Sequence, residues 1–182
     1  MIKFILLGFL NYGQMTGYDL KQAIDNSTAH FWHAHHSQIY TTLRDMEKEG
    51  LVTSQFIKES GQPDRRVYTI SEPGKQSLGS WLDQPMTEMS PIKEEFLVRI
   101  FFSGQRDPQK VISELLLQRE LHQRQRAVYH SILHPIIEKN VEIMPGLARE
   151  AEFWHATLQM GIGYEEMYLE WITRTIEKIE GL

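Results

Sequence analysis

The chain has 182 residues, enough for one or two domains with an apolar core, and 41% of them are hydrophobic. It contains no cysteine, which excludes disulfides, cysteine-ligated metals and thiol catalysis. Its apolar runs are far shorter than the ~20 residues of a membrane-spanning helix, and no signal-peptide pattern follows the first of them. We therefore expect a soluble cytoplasmic protein with no membrane partner.

The net charge of −5 is unevenly distributed. Residues 1–80 contain eight Lys or Arg and eight Asp or Glu, whereas residues 81–182 contain eleven and sixteen. Net charge bears on solubility and non-specific attraction rather than on fold. The balance therefore neither favours nor excludes a nucleic-acid partner.

Three helices are predicted in the first fifty residues. Apolar side chains predict a buried helix over Ile2–Leu10, and Thr16 with Asp19 forms a carboxylate variant of the capping box that begins a second helix. Ser37 is a plausible start for the third helix, and Gly50 is a plausible C′ residue at its end. The buried stripe of the third helix is predicted to consist of Ile39, Leu43 and Met46.

The pattern then changes to that of β-strands. Residues 51–58 and 65–70 are rich in Val, Ile, Thr, Phe and Tyr, and a polar segment with Gly and Pro separates them, as in a β-hairpin. Ser71 is expected to cap a fourth helix. The apolar face of that helix is predicted to contain Leu78, Trp81 and Leu82. This order of elements predicts a winged helix-turn-helix domain over residues 1–84.

The second half of the chain is predicted to be helical. Ser90-Pro91 and Asp107-Pro108 each combine an N-cap residue with proline at the first helical position, which predicts one helix closing near residue 104 and a longer one reaching about residue 144. Pro135 should kink or break the longer helix, because proline lacks the amide donor and clashes with the preceding turn. Pro145-Gly146 separates it from the last helix.

The last helix carries an apolar stripe at alternating spacings of four and three residues. At ~1.5 Å per residue it spans about 50 Å, more than a small domain needs for its own core. Long striped helices behind a small DNA-binding module usually pair with a second copy, so residues 90–182 are predicted to form an α-helical dimerisation domain. The stripe consists of Leu147, Ala151, Trp154, Leu158, Gly161, Glu165, Tyr168, Ile172, Thr175 and Ile179.

The third helix is the candidate recognition helix. In a helix-turn-helix the second helix of the motif lies in the major groove, with its N-terminal part against base edges. Glutamine can bond adenine, threonine methyls can contact thymine, and hydroxyls reach phosphates; the alternative is a solvated face without DNA contacts. The outward residues are predicted to be Ser37, Gln38, Tyr40, Thr41, Thr42 and Arg44.

The hairpin loop carries further candidate DNA contacts. Lys58, Gln62, Arg65 and Arg66 are placed to lie along phosphates or to enter the minor groove. Such contacts anchor a protein without much base specificity. The alternative is an ordinary solvated turn.

Several segments together resemble one family. They are Thr16-Gly17-Tyr18-Asp19-Leu20, Ser37-Gln38-Ile39-Tyr40, Arg66-Val67-Tyr68-Thr69-Ile70 and, in the second half, Tyr168-Leu169-Glu170-Trp171-Ile172. They resemble the PadR family of transcriptional regulators. The phrase from Phe31 to Tyr40 is especially similar to its longer members, which repress phenolic acid decarboxylase genes. Thr41-Thr42 departs from the Pro-Ala or Pro-Glu of many members, a departure that bears on base preference.

The resemblance implies a homodimeric repressor on a pseudo-palindromic operator of double-stranded DNA. It also implies release from DNA when a phenolic acid binds between the two domains. Trp154 and His155 in the last helix are the effector-binding candidates, since aromatic walls beside a histidine suit a flat aromatic acid. The alternative is that they belong to the core or to the dimer interface.

The histidines form two groups, and no metal site and no cofactor are predicted. The spacing of the first group matches no known set of metal ligands, and capping, packing or phosphate contact is the commoner role. In the second, His130 and His134 lie four residues apart on one helix face and could bind a metal ion or an effector carboxylate, but a polar stripe beside Pro135 is the commoner role. The chain contains no G-x-S-x-G, P-loop or H-E-x-x-H motif, so no enzyme is predicted. The first group is His30, His33, His35 and His36, and the second is His122, His130 and His134.

Two alternatives stay open at this point. One is a regulator of the same architecture that works without a small-molecule ligand. The other is a winged helix used only for protein interaction, which the near-neutral charge of residues 1–80 supports and the retained Ser37-Gln38-Ile39-Tyr40 segment disfavours.

Overall fold

The computed structural model describes residues 1–28, 31–57, 65–143 and 145–181, so His30, Lys58 and Gln62 lie outside the described residues. The chain divides into two compact units, Met1–Met89 and Ser90–Leu182. Within the described residues it is mainly helical with a small antiparallel sheet, and the predicted fold class is confirmed. No helix in the described part of the chain is long and apolar enough to cross a membrane.

The first unit is a winged helix. Its sheet has the strand order β1-β3-β2, and β3 is antiparallel to both neighbours. Strand β1 was not predicted from the sequence, because a strand of two residues shows no periodicity. The elements are α1 (Ile2–Tyr12), β1 (Met15–Thr16), α2 (Gly17–Asp25), α3 (His36–Lys48), β2 (Val52–Ile57), β3 (Arg65–Ile70) and α4 (Glu72–Leu82).

Side-chain caps fix where these helices begin. The hydroxyl of Thr16 accepts from the amide of Asp19 at 3.1 Å, and the Asp19 carboxylate accepts from the Thr16 amide at 2.9 Å, as the capping box predicts. The predicted start of α3 at Ser37 is wrong by one residue. His35 is the N-cap, and its amide donates to the side-chain oxygen of Gln38 at 3.1 Å.

One apolar core holds the first unit together. The predicted stripe of α3 is confirmed, since its three members are fully buried. Phe4 stacks on Trp81 with the ring centroids 4.6 Å apart. Leu82 is 65% exposed, so the prediction that it shares the buried face of α4 is wrong. The core consists mainly of Leu6, Leu7, Leu10, Leu20, Ile24, Ile39, Leu43, Met46 and Val52.

The second unit is helical. Asp107 caps α6 as predicted, its carboxylate accepting from the amide of Gln109 at 3.0 Å. The helix predicted to open at Ser90-Pro91 instead begins at Glu95, where Phe96 is the first side chain that it buries. The elements are α5 (Glu95–Phe101), α6 (Pro108–Val128), α7 (His134–Ile143) and α8 (Ala148–Glu180), with short 3₁₀ turns at Ser103–Gln105 and Pro145–Leu147.

A π turn over Tyr129–Leu133 joins α6 to α7 directly before Pro135. In a π turn the hydrogen bonds run from i to i+5, so one additional residue enters the turn. Pro135 has no amide hydrogen to donate, and the local change from α-type to π-type hydrogen bonds accommodates this. Helix α7 therefore continues beyond Pro135. The predicted disruption is therefore present, but it lies one turn earlier and does not end the helical segment.

The apolar stripe of α8 packs against α6 of the same chain. Tyr168 and Ile172 join Val111, Ile112 and Leu115 of α6 in one core. A smaller core lies at the other end of the helix pair, around Leu158. The interpretation of this stripe as the seam for a second copy is wrong, because α6 covers one part of it and the π turn and α7 cover the part around Leu158. A different face of α8 is exposed.

Candidate nucleic-acid interface

The residues predicted to read DNA lie on the exposed side of α3. Ser37, Gln38, Tyr40, Thr41 and Arg44 are exposed, and Thr42 is half-buried. The Gln38 side-chain oxygen already accepts from the His35 amide, but a carbonyl oxygen has a second lone pair. Gln38 therefore retains the capacity to accept a hydrogen bond from a base edge.

Tyr40 also has a structural role that the sequence did not reveal. A Cβ atom on Gly17 would lie 2.6 Å from Cε1 of Tyr40, so only glycine lets the start of α2 approach the ring this closely. The side chain of Tyr40 is nevertheless 48% exposed. It can pack against α2 and present polar surface at the same time.

Arg66 ties the wing to the recognition helix. Its Nε donates to Ser54 Oγ at 2.9 Å, and a terminal nitrogen donates to the carboxylate of Glu47 near the end of α3. Ser54 in turn donates to the other oxygen of Glu47 at 2.5 Å. The guanidinium lies 5.3 Å from the ring centroid of Phe56 and 5.4 Å from that of Tyr68.

Electrostatics in this network favour a charged Glu47. The Ser54 hydroxyl, and after it the Arg66 guanidinium, hold the pKa of Glu47 below its ordinary value, against the opposing effect of burial. No sequence pattern indicates this network, because Glu47 and Arg66 are 19 residues apart. Arg65 lies beside it at the exposed start of β3.

The effector candidates Trp154 and His155 are both half-buried on α8. His155 Nε2 lies 3.1 Å from Glu138 Oε1 on α7, and its ring centroid is 5.2 Å from that of His134. These two contacts engage His155 with α7. Trp154 has its own partners in the structure.

A groove of about 390 Å³ lies between α5 and α6, away from these two candidates. It is lined by Glu94, Glu95 and Glu114, with Arg99 as its cation, and Arg99 is paired with Glu95. This charge balance does not favour an anionic ligand.

A buried histidine–glutamate contact in the second unit was not predicted from the sequence. Nδ1 of His122 lies 2.5 Å from Oε2 of Glu165, which is 4% exposed, and the His122 ring stacks on Tyr168 at 3.9 Å between centroids. Burial raises the pKa of Tyr168 to about 12. The sequence did contain an indication of this contact, because Glu165 is a charged residue at an apolar position of the α8 stripe and so needs a buried partner.

Comparison with known proteins agrees with this architecture. Residues 6–80 match the model described as the transcriptional regulator PadR-like family, and residues 92–180 match the model of the virulence activator alpha C-terminal domain. The negative transcriptional regulator PadR of Bacillus subtilis (strain 168) is 28% identical over 184 residues, which is 99% of this chain and 98% of the relative.

Two solved structures show the same fold along nearly the whole chain. B. subtilis PadR in complex with operator DNA aligns with a TM-score of 0.82 and 22% identity, covering 98% of each chain. The same protein in complex with p-coumaric acid aligns with a TM-score of 0.77 and 23% identity, again covering 98% of each chain.

Together, α3, the wing and the C-terminal helices are those of a winged-helix transcriptional regulator, a class of protein that binds DNA. Residues 6–80 form a domain of the PadR-like family of transcriptional regulators, so the sequence resemblance is confirmed. Because the members are regulators and not enzymes, the prediction that the chain is not an enzyme is also confirmed.

Proposed function

We propose that the chain is a homodimeric repressor that binds a pseudo-palindromic operator and is released from it by a small aromatic acid. Residues 1–84 would bind the DNA and residues 90–182 would pair the subunits. The observation that carries this proposal is the exposed polar face of α3 beside a wing that Arg66 fastens to the same helix. The operator complex of the B. subtilis relative supports it.

On DNA, the N-terminal part of α3 would enter the major groove. Ser37, Gln38, Thr41 and Thr42 would face base edges and the nearby backbone, while Tyr40 and Arg44 would reach phosphates. In a dimer, two such helices would lie about 34–36 Å apart, one turn of the duplex.

The wing would contact the backbone or the minor groove beside this site. We propose Arg65, Lys58 and Gln62 as its contacts, the last two on the resemblance and on residue type alone, because they lie outside the described residues. Arg66 would serve mainly as a positioning residue, since Glu47 and Ser54 already hold its guanidinium. A regulator of this kind acts where the chromosomal DNA is, so we propose a cytoplasmic location.

Pairing would use the exposed face of α8 rather than its buried stripe. Phe153, Met160 and Met167 follow one another at seven-residue spacing and are 64%, 73% and 56% exposed. Two turns of an α-helix contain about seven residues, so these side chains lie along one line. A row of large exposed apolar side chains of this kind favours an interaction site.

For the effector, we propose a small aromatic carboxylic acid, with Trp154 and His155 as contacts. The complex of the B. subtilis relative with p-coumaric acid supports this ligand class. A second candidate is the same regulator acting without a small molecule. It is favoured by the engagement of His155 with Glu138 and by the predominantly acidic lining of the α5–α6 groove.

A mobility shift on the chain's own upstream DNA, with and without p-coumaric acid, tests both operator binding and release by the acid. We expect a specific complex that the acid dissociates. Binding that the acid leaves unchanged would retain the repressor and reject the phenolic effector. The absence of any specific complex, together with binding that does not respond to salt, would contradict the DNA-binding proposal.

A further inference from the structure

Three potential metal ligands from two helices converge in the second unit. His134 and Glu138 lie four residues apart on α7, and His155 lies on α8. One ligand atom from each side chain lies within 4.8 Å of those from the other two. In the part of the chain that the structure describes, this is the one group of three or more His, Asp or Glu side chains with such a spacing.

The donor atoms are close to the separation that a metal ion requires. At metal–ligand distances of ~2.0–2.1 Å, tetrahedral geometry separates neighbouring donors by about 3.3 Å. Nε2 of His155 and Oε1 of Glu138 are already 3.1 Å apart. The ring planes of His134 and His155 are inclined by 53°, with centroids 5.2 Å apart, and the ligand atom of His134 lies within 4.8 Å of the other two.

A π turn lies directly before this group. Tyr129–Leu133 separates α6 from α7, and His134 is the first residue of α7. His122 on α6 pairs with Glu165, while His134 meets His155. Such turns occur frequently at functional sites.

We propose that His134, Glu138 and His155 bind a divalent transition-metal ion such as Zn²⁺. Two imidazoles and one carboxylate suit zinc, nickel or copper, whereas calcium and magnesium prefer oxygen ligands. Three protein ligands leave a position for water or another exchangeable ligand. The ligands are exposed or half-buried, so the ion can exchange with solvent.

The bound ion would fasten α7 to α8. These helices otherwise meet around a small core of Tyr129, Leu158 and Ile162, with Leu133 and Ile137 packed against it. Because the metal binds only the folded arrangement, it would raise the thermal stability of the second unit. This prediction is measured without DNA or an aromatic acid, so its failure is distinguishable from failure of the proposed function, with which it shares only His155.

The test uses the full chain, free of any histidine tag and stripped of metal. Co²⁺ is titrated while the visible absorption is recorded, and Zn²⁺ is titrated by calorimetry. We expect one equivalent per chain at this site, with the visible bands of a nitrogen- and oxygen-ligated cobalt ion. The variants His134→Ala and Glu138→Gln should each weaken this binding at least tenfold, the effect that even an outer-shell partner can have.

His130→Ala is the matched control, because His130 is exposed on the π turn and lies outside the ligand set. It should bind Co²⁺ and gain thermal stability with Zn²⁺ as the unmutated chain does. Glu138→Gln preserves side-chain volume, so it remains informative if His134→Ala fails to fold. The proposal is overturned if the unmutated chain binds no metal, or if both ligand variants bind it unchanged.

Discussion

Replacing Arg66 with alanine distinguishes a residue that positions the wing from one that contacts phosphate. The substitution removes its bonds to Glu47 and Ser54 and its contacts with the rings of Phe56 and Tyr68. Hydrogen bonds to charged groups contribute about 1.5–3 kcal/mol each. The side chains of Arg66 and Glu47 are 39% and 31% exposed, so solvent screening reduces the combined contribution to about 1–2 kcal/mol.

We therefore expect Arg66→Ala to lower the free energy of unfolding by about 1–2 kcal/mol in a urea titration. A wing no longer held against α3 should weaken operator binding by up to the same free energy, about five- to thirtyfold. Arg65→Ala serves as the comparison, because Arg65 is the adjacent residue with the same charge and is itself proposed as a phosphate contact.

The salt dependence of binding separates the two roles. Each neutralised phosphate contributes ~0.9 to the slope of log K against log salt concentration. Arg65→Ala should reduce the slope by ~0.9 per subunit, whereas Arg66→Ala should lower affinity without changing the slope. A slope reduced by ~0.9 per subunit in Arg66→Ala would refute the positioning role.

Four further outcomes are expected. The pKa of Glu47 in the folded chain lies below its ordinary value of 4.5, so the stability that its charge contributes is lost as the pH falls through the folded pKa. Below pH 4.5, the free energy of unfolding should therefore fall more steeply for the unmutated chain than for Glu47→Gln. Parallel curves for the two proteins would contradict this. Gly17→Ala places a methyl group 2.6 Å from a ring carbon of Tyr40 and should lower the free energy of unfolding by about 1–3 kcal/mol. Gly79→Ala meets nothing within 4 Å and should leave the free energy of unfolding no lower. His122→Ala removes the hydrogen-bond partner of the buried Glu165 side chain and should lower the free energy of unfolding by about 1–3 kcal/mol in chemical denaturation; a smaller loss than His130→Ala produces would argue against the contact. Met160→Lys should shift sedimentation towards monomer, and an unchanged dimer would move the interface elsewhere.

Local chemistry made much of the fold predictable. The capping box at Thr16 and Asp19 and the cap at Asp107 each use a side chain that bonds an amide within three residues, so a short window contains the whole signal. The stripe of Ile39, Leu43 and Met46 likewise follows from helical periodicity alone.

The start of α5 was not predictable in this way. Ser90-Pro91 has the local signature of a helix start, yet Ile92 is 82% exposed, and the first apolar side chain that finds a core is Phe96. A cap contributes about 1 kcal/mol, so it does not hold a helix that has nothing to bury. Tertiary packing therefore decided where α5 begins.

The candidate sites depended on contacts that a sequence pattern does not encode. Residue type and helical phase sufficed to predict the outward set of α3, from Ser37 to Arg44. The bond between Arg66 and Glu47 spans 19 residues, and the pair of His122 and Glu165 spans 43. Helical periodicity relates only residues three or four apart, so neither partner could be assigned before the fold was known.

Operator binding by two matched glutamine variants tests the central claim most directly. Gln38 is exposed at the start of α3, and Gln76 is exposed on α4 of the same unit. In fluorescence anisotropy at fixed salt, we predict that Gln38→Ala loses about 1–3 kcal/mol of operator binding and some preference over unrelated DNA, while Gln76→Ala binds as the unmutated chain does. Equal binding by both variants would contradict the assignment of α3 as the recognition helix.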